Sequence, residues 1–184
     1  MDVFETLVGK MLSRRGYWTM QGYTLENLTP ADKKWLGNPT MPRVEFDLVA
    51  FKPSTNELWA LEVKSYLDSG GVHHRDLLVE HADCKRRRFK EFTVPKYRDL
   101  VLRRLKEQLM DQGFIPRGPH LLPKLGLAVG KWAAGSEEPI RKRFADKGWL
   151  LIGPDEICHS LETMANEGYS NDEAVMVAKM LIRQ

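Results

Sequence analysis

The 184-residue sequence has little cysteine and no long apolar run. Cys84 and Cys158 lie far apart, without a CxxC pair or a nearby set of Cys and His ligands. This spacing argues against a zinc ribbon, a redox pair or a disulfide scaffold, and favours a reducing compartment. No uncharged apolar run reaches the roughly 18 residues of a membrane span. Asp2 and Glu5 precede the first basic residue, which is not typical of a signal peptide. We therefore expect a soluble cytoplasmic protein without a membrane partner.

The sequence also lacks internal repeats and low-complexity tracts, and its composition is that of a globular protein. Hydrophobic residues make up 42% and charged residues 29%, which excludes a largely disordered chain. The length fits a single domain that can bury a hydrophobic core without disulfides or structural metals.

Positive charge is concentrated in one segment. The net charge is only +3, yet residues 84–106 contain ten basic and two acidic side chains. Such a segregated segment favours a polyanionic partner, and a solvated helix face is the alternative explanation. The candidates for nucleic-acid binding in this segment are Arg86, Arg87, Arg88, Arg103 and Arg104.

Hydrophobic periodicity predicts strands that alternate with helices. Apolar residues three and four positions apart predict a helix over 3–14, and alternation predicts strands over 43–51 and 58–66. A long helix is expected from about Lys96 to Gln112. Further strands are expected at 17–23, 124–131 and 149–152, and further helices at 154–166 and 171–183. This order predicts an α/β domain whose mixed central sheet is flanked by helices, with a C-terminal helical hairpin.

The two central strands bring acidic residues together. If Phe51 pairs with Leu58 across the turn, Asp47 lies directly opposite Glu62 on one face of the hairpin. Opposed like charges are destabilising, and Glu62 has apolar neighbours in sequence, so the two carboxylates need a cation or a shared proton. A hard divalent ion such as Mg²⁺ prefers such oxygen ligands.

An ordinary exposed hairpin is the alternative. In the same register Glu45 lies opposite Lys64, and these two residues could form a surface ion pair worth under about 1 kcal/mol.

The element order changes the balance between these interpretations. A helix, an antiparallel pair carrying Glu45-Phe46-Asp47-Leu48-Val49 and Leu61-Glu62-Val63-Lys64-Ser65, a helix and a further strand together resemble the PD-(D/E)xK nuclease superfamily. Phe46 stands where the motif has proline. The resemblance implies a restriction-endonuclease-like fold with an αβββαβ core and covers about residues 1–131. We expect a nuclease-like domain over 1–152 with an insertion at 67–95, and a helical extension over 153–184 packed on it.

The resemblance also implies roles for individual residues. Asp47 and Glu62 would bind Mg²⁺, for which Mn²⁺ can substitute, with help from the backbone carbonyl of Val63. Lys64 would orient or activate the attacking water and offset charge on the phosphate.

Two further residues of this chain match positions that have a role in some members of the superfamily. Glu5 would supply an acid from the first helix, although a helix-capping role explains it equally well. Gln108 would lie near the site on the helix that follows the Glu-x-Lys strand, and a hydrogen-bonded core amide is the alternative.

These observations favour a magnesium-dependent nuclease that acts on nucleic acid, with DNA preferred to RNA. A homodimer is plausible because cutting both strands commonly needs two sites. The alternative is a catalytically inactive nucleic-acid-binding or assembly module on the same scaffold. A metal-independent structural protein would require the carboxylates to be exposed.

Overall fold

The computed structural model describes residues 2–82, 88–118 and 121–182. The strands are β1 (Trp18–Leu25), β2 (Val44–Lys52), β3 (Glu57–Lys64), β4 (Lys124–Val129) and β5 (Leu150–Ile152). The helices are α1 (Val3–Arg14), α2 (Pro30–Trp35), α3 (Lys90–Thr93), α4 (Pro95–Asp111), α5 (Glu137–Lys147), α6 (Pro154–Ala165) and α7 (Glu173–Ile182), with a 3₁₀ turn at His74–Asp76.

The five strands form one mixed sheet in the order β1-β2-β3-β4-β5. β2 is antiparallel to both β1 and β3, whereas β4 is parallel to both β3 and β5. The predicted α/β class, with a mixed sheet flanked by helices and helices at the C-terminus, is confirmed.

The register of the β2–β3 hairpin is confirmed over most of its length. Phe51 pairs with Leu58, and the ladder continues to Leu48 and Leu61. It ends there, so Asp47 and Glu62, which come next in this register, are not a pair of the ladder. The reason is that the two strands separate at this point, which the following section describes.

Side chains alternate between the two faces of the sheet, and each face has its own hydrophobic core. One core is built on the sheet residues Val49, Phe51, Leu58, Ala60, Leu125, Leu127 and Val129, covered by α3, α4 and α5. The other is built on Leu48, Ala50, Leu61, Val63, Ala128 and Ile152, covered by α1, α6 and α7. The prediction of helices on both faces therefore holds.

The C-terminal helices are part of the second core. Ile157 and Met164 of α6 and Val175 of α7 are buried in it together with α1 residues. An ion pair between Lys10 of α1 and Asp172, at 2.9 Å, joins the start of α7 to the first helix. Among the described residues, none of the helices combines the length and apolar character needed to cross a bilayer.

α5 is not among the predicted helices. It buries only Ile140 and Phe144 against the first core, and it ends at Gly148, whose φ of 63° lies in the left-handed region. A stripe of two apolar residues in a strongly charged segment is too short for a periodicity signal.

Candidate active site

The strands β2 and β3 separate beside Asp47, and the carboxylate of this residue fills the gap. The backbone N–H of Val63 donates to Asp47 Oδ2 at 2.7 Å, so a side-chain oxygen stands in for a strand carbonyl. The pairing of β3 with β4 continues to Lys64. The sheet therefore forks between β2 and β3, with Asp47 at the base of the fork.

Three charged side chains meet at this fork. Lys64 Nζ lies 2.8 Å from Asp47 Oδ2 and 2.6 Å from Glu62 Oε1. By strand alternation all three project on the face of the sheet that α4 covers. Lys64 thus pairs with both predicted metal-binding carboxylates, whereas the ion pair with Glu45 considered above is not formed within the described residues.

The pKa values of Glu62 and Lys64 reflect the close packing of these three charged groups. Burial raises the pKa of Glu62, repulsion from Asp47 raises it further, and the charge of Lys64 opposes both effects. Burial alone would lower the pKa of Lys64, but the charge of Glu62 and hydrogen bonds to Asp47 and Glu62 raise it overall. Lys64 is therefore a charged ammonium at neutral pH.

Glu5 lies on α1, which covers the other face of the sheet. It lies in the first turn of α1, where Asp2 caps the helix by accepting from the N–H of Phe4 at 2.7 Å. Burial raises the pKa of Glu5, and the charges of Asp47 and Asp2 raise it further. The first helix thus brings an acid within electrostatic range of Asp47.

A cleft of about 450 Å³ opens over the fork. Its wall includes Tyr66 and Phe89, which both have left-handed backbone conformations, with φ of 48° and 51°. Residues other than glycine rarely adopt this conformation, and it is concentrated at functional sites. The residues lining the cleft that carry charge are Arg43, Glu45, Asp47, Glu62, Lys64, Arg88, Lys90 and Glu91.

Glu91 is a cleft residue that the sequence did not indicate. It lies in the short helix α3, and its Oε1 is buried without a hydrogen-bond partner among the described residues. Burial raises the pKa of Glu91 to about 8, and repulsion from Glu62 contributes to the rise. The segment shows no periodicity, so the only available signal was its charge.

Gln108 lies away from the fork as a buried, fully hydrogen-bonded amide. Its Oε1 accepts from the backbone N–H groups of Glu26 and Asn27 at 2.8 and 3.2 Å, and its Nε2 donates to Tyr23 Oη and the Thr24 carbonyl. These bonds hold the end of β1 against α4. The geometry matches the alternative of a core amide, and the structure does not bring Gln108 to the other predicted site residues.

The predicted nucleic-acid-binding arginines are placed differently from one another. Arg88 is exposed and lines the cleft, and Arg103 is exposed on α4. Arg104 instead donates to both carboxylate oxygens of Asp32 and to Glu107, so its charge is already matched within the fold. Arg86 and Arg87 lie outside the described residues.

A second cleft, of about 580 Å³, adjoins the first. Tyr66 and Arg88 line both clefts, and the second one also includes His73 and Arg75. The two openings thus share a wall that carries an aromatic ring and a guanidinium.

The oxygen donors at the fork suit a hard divalent cation. Asp47 and Glu62 already hold an ammonium group between them, so the pair attracts positive charge. Within the described ranges, no group of three or more His, Cys, Asp or Glu side chains is gathered closely enough to form a metal site by itself.

Comparisons with family models, with curated proteins and with solved structures find no match to this chain.

Proposed function

We propose that this chain is a metal-dependent nuclease of the restriction-endonuclease-like class that hydrolyses phosphodiester bonds of nucleic acid, with DNA favoured over RNA. One observation carries the proposal: Asp47 and Glu62, from neighbouring strands, converge on the ammonium of Lys64 at the base of a cleft. Two carboxylates and a lysine in this arrangement match the Asp-x14-Glu-x-Lys pattern of the sequence.

In this proposal, Asp47 and Glu62 would hold Mg²⁺ or Mn²⁺, with the Val63 carbonyl and Glu5 as the additional donors. A bound divalent ion supplies positive charge to the phosphate and makes water more acidic. The carboxylates are suited to this task because burial and mutual repulsion make the unliganded pair costly, and a cation relieves both costs.

Lys64 acts through its charge. Its proton is held firmly by two carboxylates, so it serves as an ammonium that stabilises negative charge and hydrogen-bonds the reacting oxygens, not as a general base. Phosphoryl transfer depends mainly on positioning and electrostatic stabilisation, which a fixed cation provides.

The shared wall of the two clefts suggests the course of the nucleic acid. A strand that passes from the first cleft to the second crosses Tyr66 and Arg88. A guanidinium can donate two hydrogen bonds to one phosphate, and a tyrosine ring can stack on a base of any sequence. Such contacts position a substrate without reading its sequence.

The burial of the carboxylates bears on the alternatives. The side chains of Asp47 and Glu62 are 20% and 23% exposed, whereas a purely structural hairpin requires solvated carboxylates. Two acids that share one ammonium leave a net negative charge at the base of the cleft, which suits a divalent cation better than it suits a polyanion bound without metal. This arrangement favours catalysis over a non-catalytic binding or assembly module.

Cleavage assays on a panel of DNAs test the proposal. Single-stranded, duplex, flapped and branched DNAs are incubated with the wild-type protein and Mn²⁺ or Mg²⁺. We expect cleavage of at least one substrate, its loss in Asp47→Asn, and a rate at least about tenfold lower in Lys64→Ala, which corresponds to about 1.4 kcal/mol of barrier. Lys142→Ala, a change at an exposed lysine of α5, serves as the matched control and should cleave normally.

Calorimetric titration with Mn²⁺ separates the metal-binding role of Asp47 from the role of Lys64 in the reaction. Since Lys64 competes with a cation for both carboxylates, Lys64→Ala should bind Mn²⁺ as tightly as the wild type or more tightly, whereas Asp47→Asn should bind it much more weakly. Cleavage by Lys64→Ala at the wild-type rate would contradict the assigned role. A wild-type protein that neither cleaves DNA nor binds Mn²⁺ would refute the proposal as a whole.

A further inference from the structure

The short helix α3 holds Glu91 in a fixed place over the fork. Phe89, the residue that precedes α3, and Phe92 within it are both buried. The ring of Phe92 lies 5.2 Å from that of Phe144 and 5.4 Å from that of Trp149. The backbone is also constrained, because Phe89 adopts a left-handed conformation at the start of the helix. Packing of the neighbouring aromatic residues therefore fixes the position of Glu91 on the cleft wall.

The carboxyl group of Glu91 differs from those of Asp32 and Glu156, which are also partly buried. Asp32 is matched by the guanidinium of Arg104, and Glu156 by that of Arg141. Glu91 Oε1 is buried without a hydrogen-bond partner in the described part of the chain. An ionised carboxylate in this position is costly, so without a cation the group favours its protonated form.

The cations that face Glu91 are engaged elsewhere. Lys64 Nζ lies between Asp47 and Glu62, and Lys90 Nζ lies 4.7 Å from the centre of the Tyr97 ring. Arg88, on the same wall, is exposed at the entrance. The charges of Lys90 and Lys64 act favourably on Glu91, but burial and repulsion from Glu62 outweigh them. Positive charge or hydrogen-bond donors brought into the cleft would therefore stabilise the ionised form of Glu91.

We propose that Glu91 is a third carboxylate of the divalent-cation site, placed to accept hydrogen bonds from the hydration shell of a cation held by Asp47 and Glu62. This inference rests on the proposed function. Mg²⁺ keeps several waters when protein carboxylates bind it, so a carboxylate beyond contact distance still takes part in the site. Outer carboxylates of this kind typically change metal affinity about 10- to 100-fold.

Metal titration without nucleic acid tests Glu91 directly. Mn²⁺ binding is followed by electron paramagnetic resonance for the wild type, Glu91→Gln, Asp47→Asn and the matched control Glu45→Gln, which neutralises an exposed acid of the same cleft. We expect about tenfold weaker binding in Glu91→Gln, loss of binding in Asp47→Asn, and affinity within about twofold of the wild type in the control. Glu91→Asp, which retracts the carboxylate by one methylene, should weaken binding several-fold and serves if the glutamine variant does not fold.

Thermal unfolding gives a second readout with a distinctive sign. Without metal, Glu91→Gln should unfold at the same temperature as the wild type or higher, because an amide needs neither to bury a charge nor to take up a proton on folding. The rise in Tm on adding Mn²⁺ should be smaller than in the wild type.

The possible failures can be told apart. If the wild type binds Mn²⁺, Asp47→Asn does not, and Glu91→Gln binds it as the wild type does, Glu91 has no part in the site and the inference is overturned. A lower Tm of Glu91→Gln without metal, together with unchanged affinity, would identify a structural residue and overturn it as well. If the wild type fails to bind Mn²⁺, the proposed function fails first.

Discussion

Arg104 illustrates how a single charged residue can be committed to the fold. Its guanidinium forms two parallel bonds to Asp32, with Nε 3.1 Å from Oδ2 and Nη2 3.0 Å from Oδ1. Asp32 also closes the capping box of α2 by accepting from the N–H of Thr29. The pair therefore ties α2 to α4. Burial alone would raise the pKa of Asp32, but the hydrogen bonds from Arg104 and Thr29 outweigh it and lower the pKa to about 2.

A lowered pKa in the folded state gives a pH-dependent stability. Ionised Asp32 contributes its full stabilisation of the folded state above its ordinary pKa near 4. This stabilisation is lost as the pH falls towards 2. Its side chain is 11% exposed, so allowing for solvent screening we expect Asp32→Asn to lower the free energy of unfolding by about 1–2 kcal/mol at pH 7. Urea titrations from pH 7 to pH 3 should show the difference from the wild type shrinking below pH 4.

Asp111→Asn is the control for this pair, because Asp111 is 78% exposed. Its effect should stay within about 0.5 kcal/mol at every pH. If the difference between Asp32→Asn and the wild type were independent of pH, the ion pair would not be its cause.

At the scale of elements, the loops that follow β3 and β4 are pressed together. The N–H of Val72 donates to the carbonyl of Lys131, and the N–H of Ala133 donates to the carbonyl of Val72, each at 3.0 Å. Gly71 makes this approach possible: a Cβ there would lie 2.5 Å from the carbonyl carbon of Trp132. The loop that begins at Tyr66 and lines both clefts is thus held by backbone contact with the loop after β4.

Two glycines with positive φ form a matched pair for testing this contact. Gly71 has φ of 82° and no room for a side chain, whereas Gly135 has φ of 67° with nothing within 4 Å. Gly135→Ala should cost about 1–2 kcal/mol from backbone strain alone. Gly71→Ala adds a steric clash and should cost at least about 3 kcal/mol. Urea unfolding measures both values. Equal losses of unfolding free energy in the two variants would mean that the close contact between the loops at Gly71 does not contribute to stability.

Sequence periodicity predicted elements where one face is clearly buried. The alternation of Val44 to Ala50 and of Leu58 to Lys64 was sufficient for the hairpin and its register, because a slip by one residue would move every side chain of a strand to the opposite face of the sheet. The fork at Asp47 could not be predicted, since it depends on a side chain replacing a strand carbonyl. α5 was missed because tertiary packing, not its own pattern, stabilises it.

The same reasoning explains which parts of the candidate site were found. Asp47, Glu62 and Lys64 lie on one local hairpin, so alternation and register are enough to bring them together. Glu91 comes from an irregular segment whose position depends on the packing of Phe92 against α5 and Trp149. For Gln108 the sequence allows both a site residue and a core amide, and its partners at the end of β1 follow only from the tertiary fold.

At the scale of the whole molecule, the two cores share one sheet, so the C-terminal helices should unfold together with the rest. Val175 is fully buried in the core shared with α1, whereas Val177 on the same helix is 53% exposed. We expect Val175→Ala to lower the free energy of unfolding by about 1–3 kcal/mol and Val177→Ala to change it by less than about 0.5 kcal/mol.

Circular dichroism and tryptophan fluorescence, recorded in the same urea titrations, check whether the destabilisation is global. Both signals should move together to lower urea in Val175→Ala, as a single cooperative transition requires. A separate early transition in circular dichroism alone would show that residues 153–182 unfold as an independent unit.

The mixed sheet also orders events during synthesis. β2 and β3 are neighbours in the chain, whereas residues paired between β3 and β4 are 65 positions apart, as in Lys64 with Val129. Local pairs form before distant ones, and the N-terminal part of a chain emerges from the ribosome first. Asp47, Glu62 and Lys64 can therefore meet while β3 still has an open, apolar edge that β4 has yet to cover. Unpaired edges of this kind associate with other chains, so the nascent protein needs protection during the interval in which its charged cluster is first assembled.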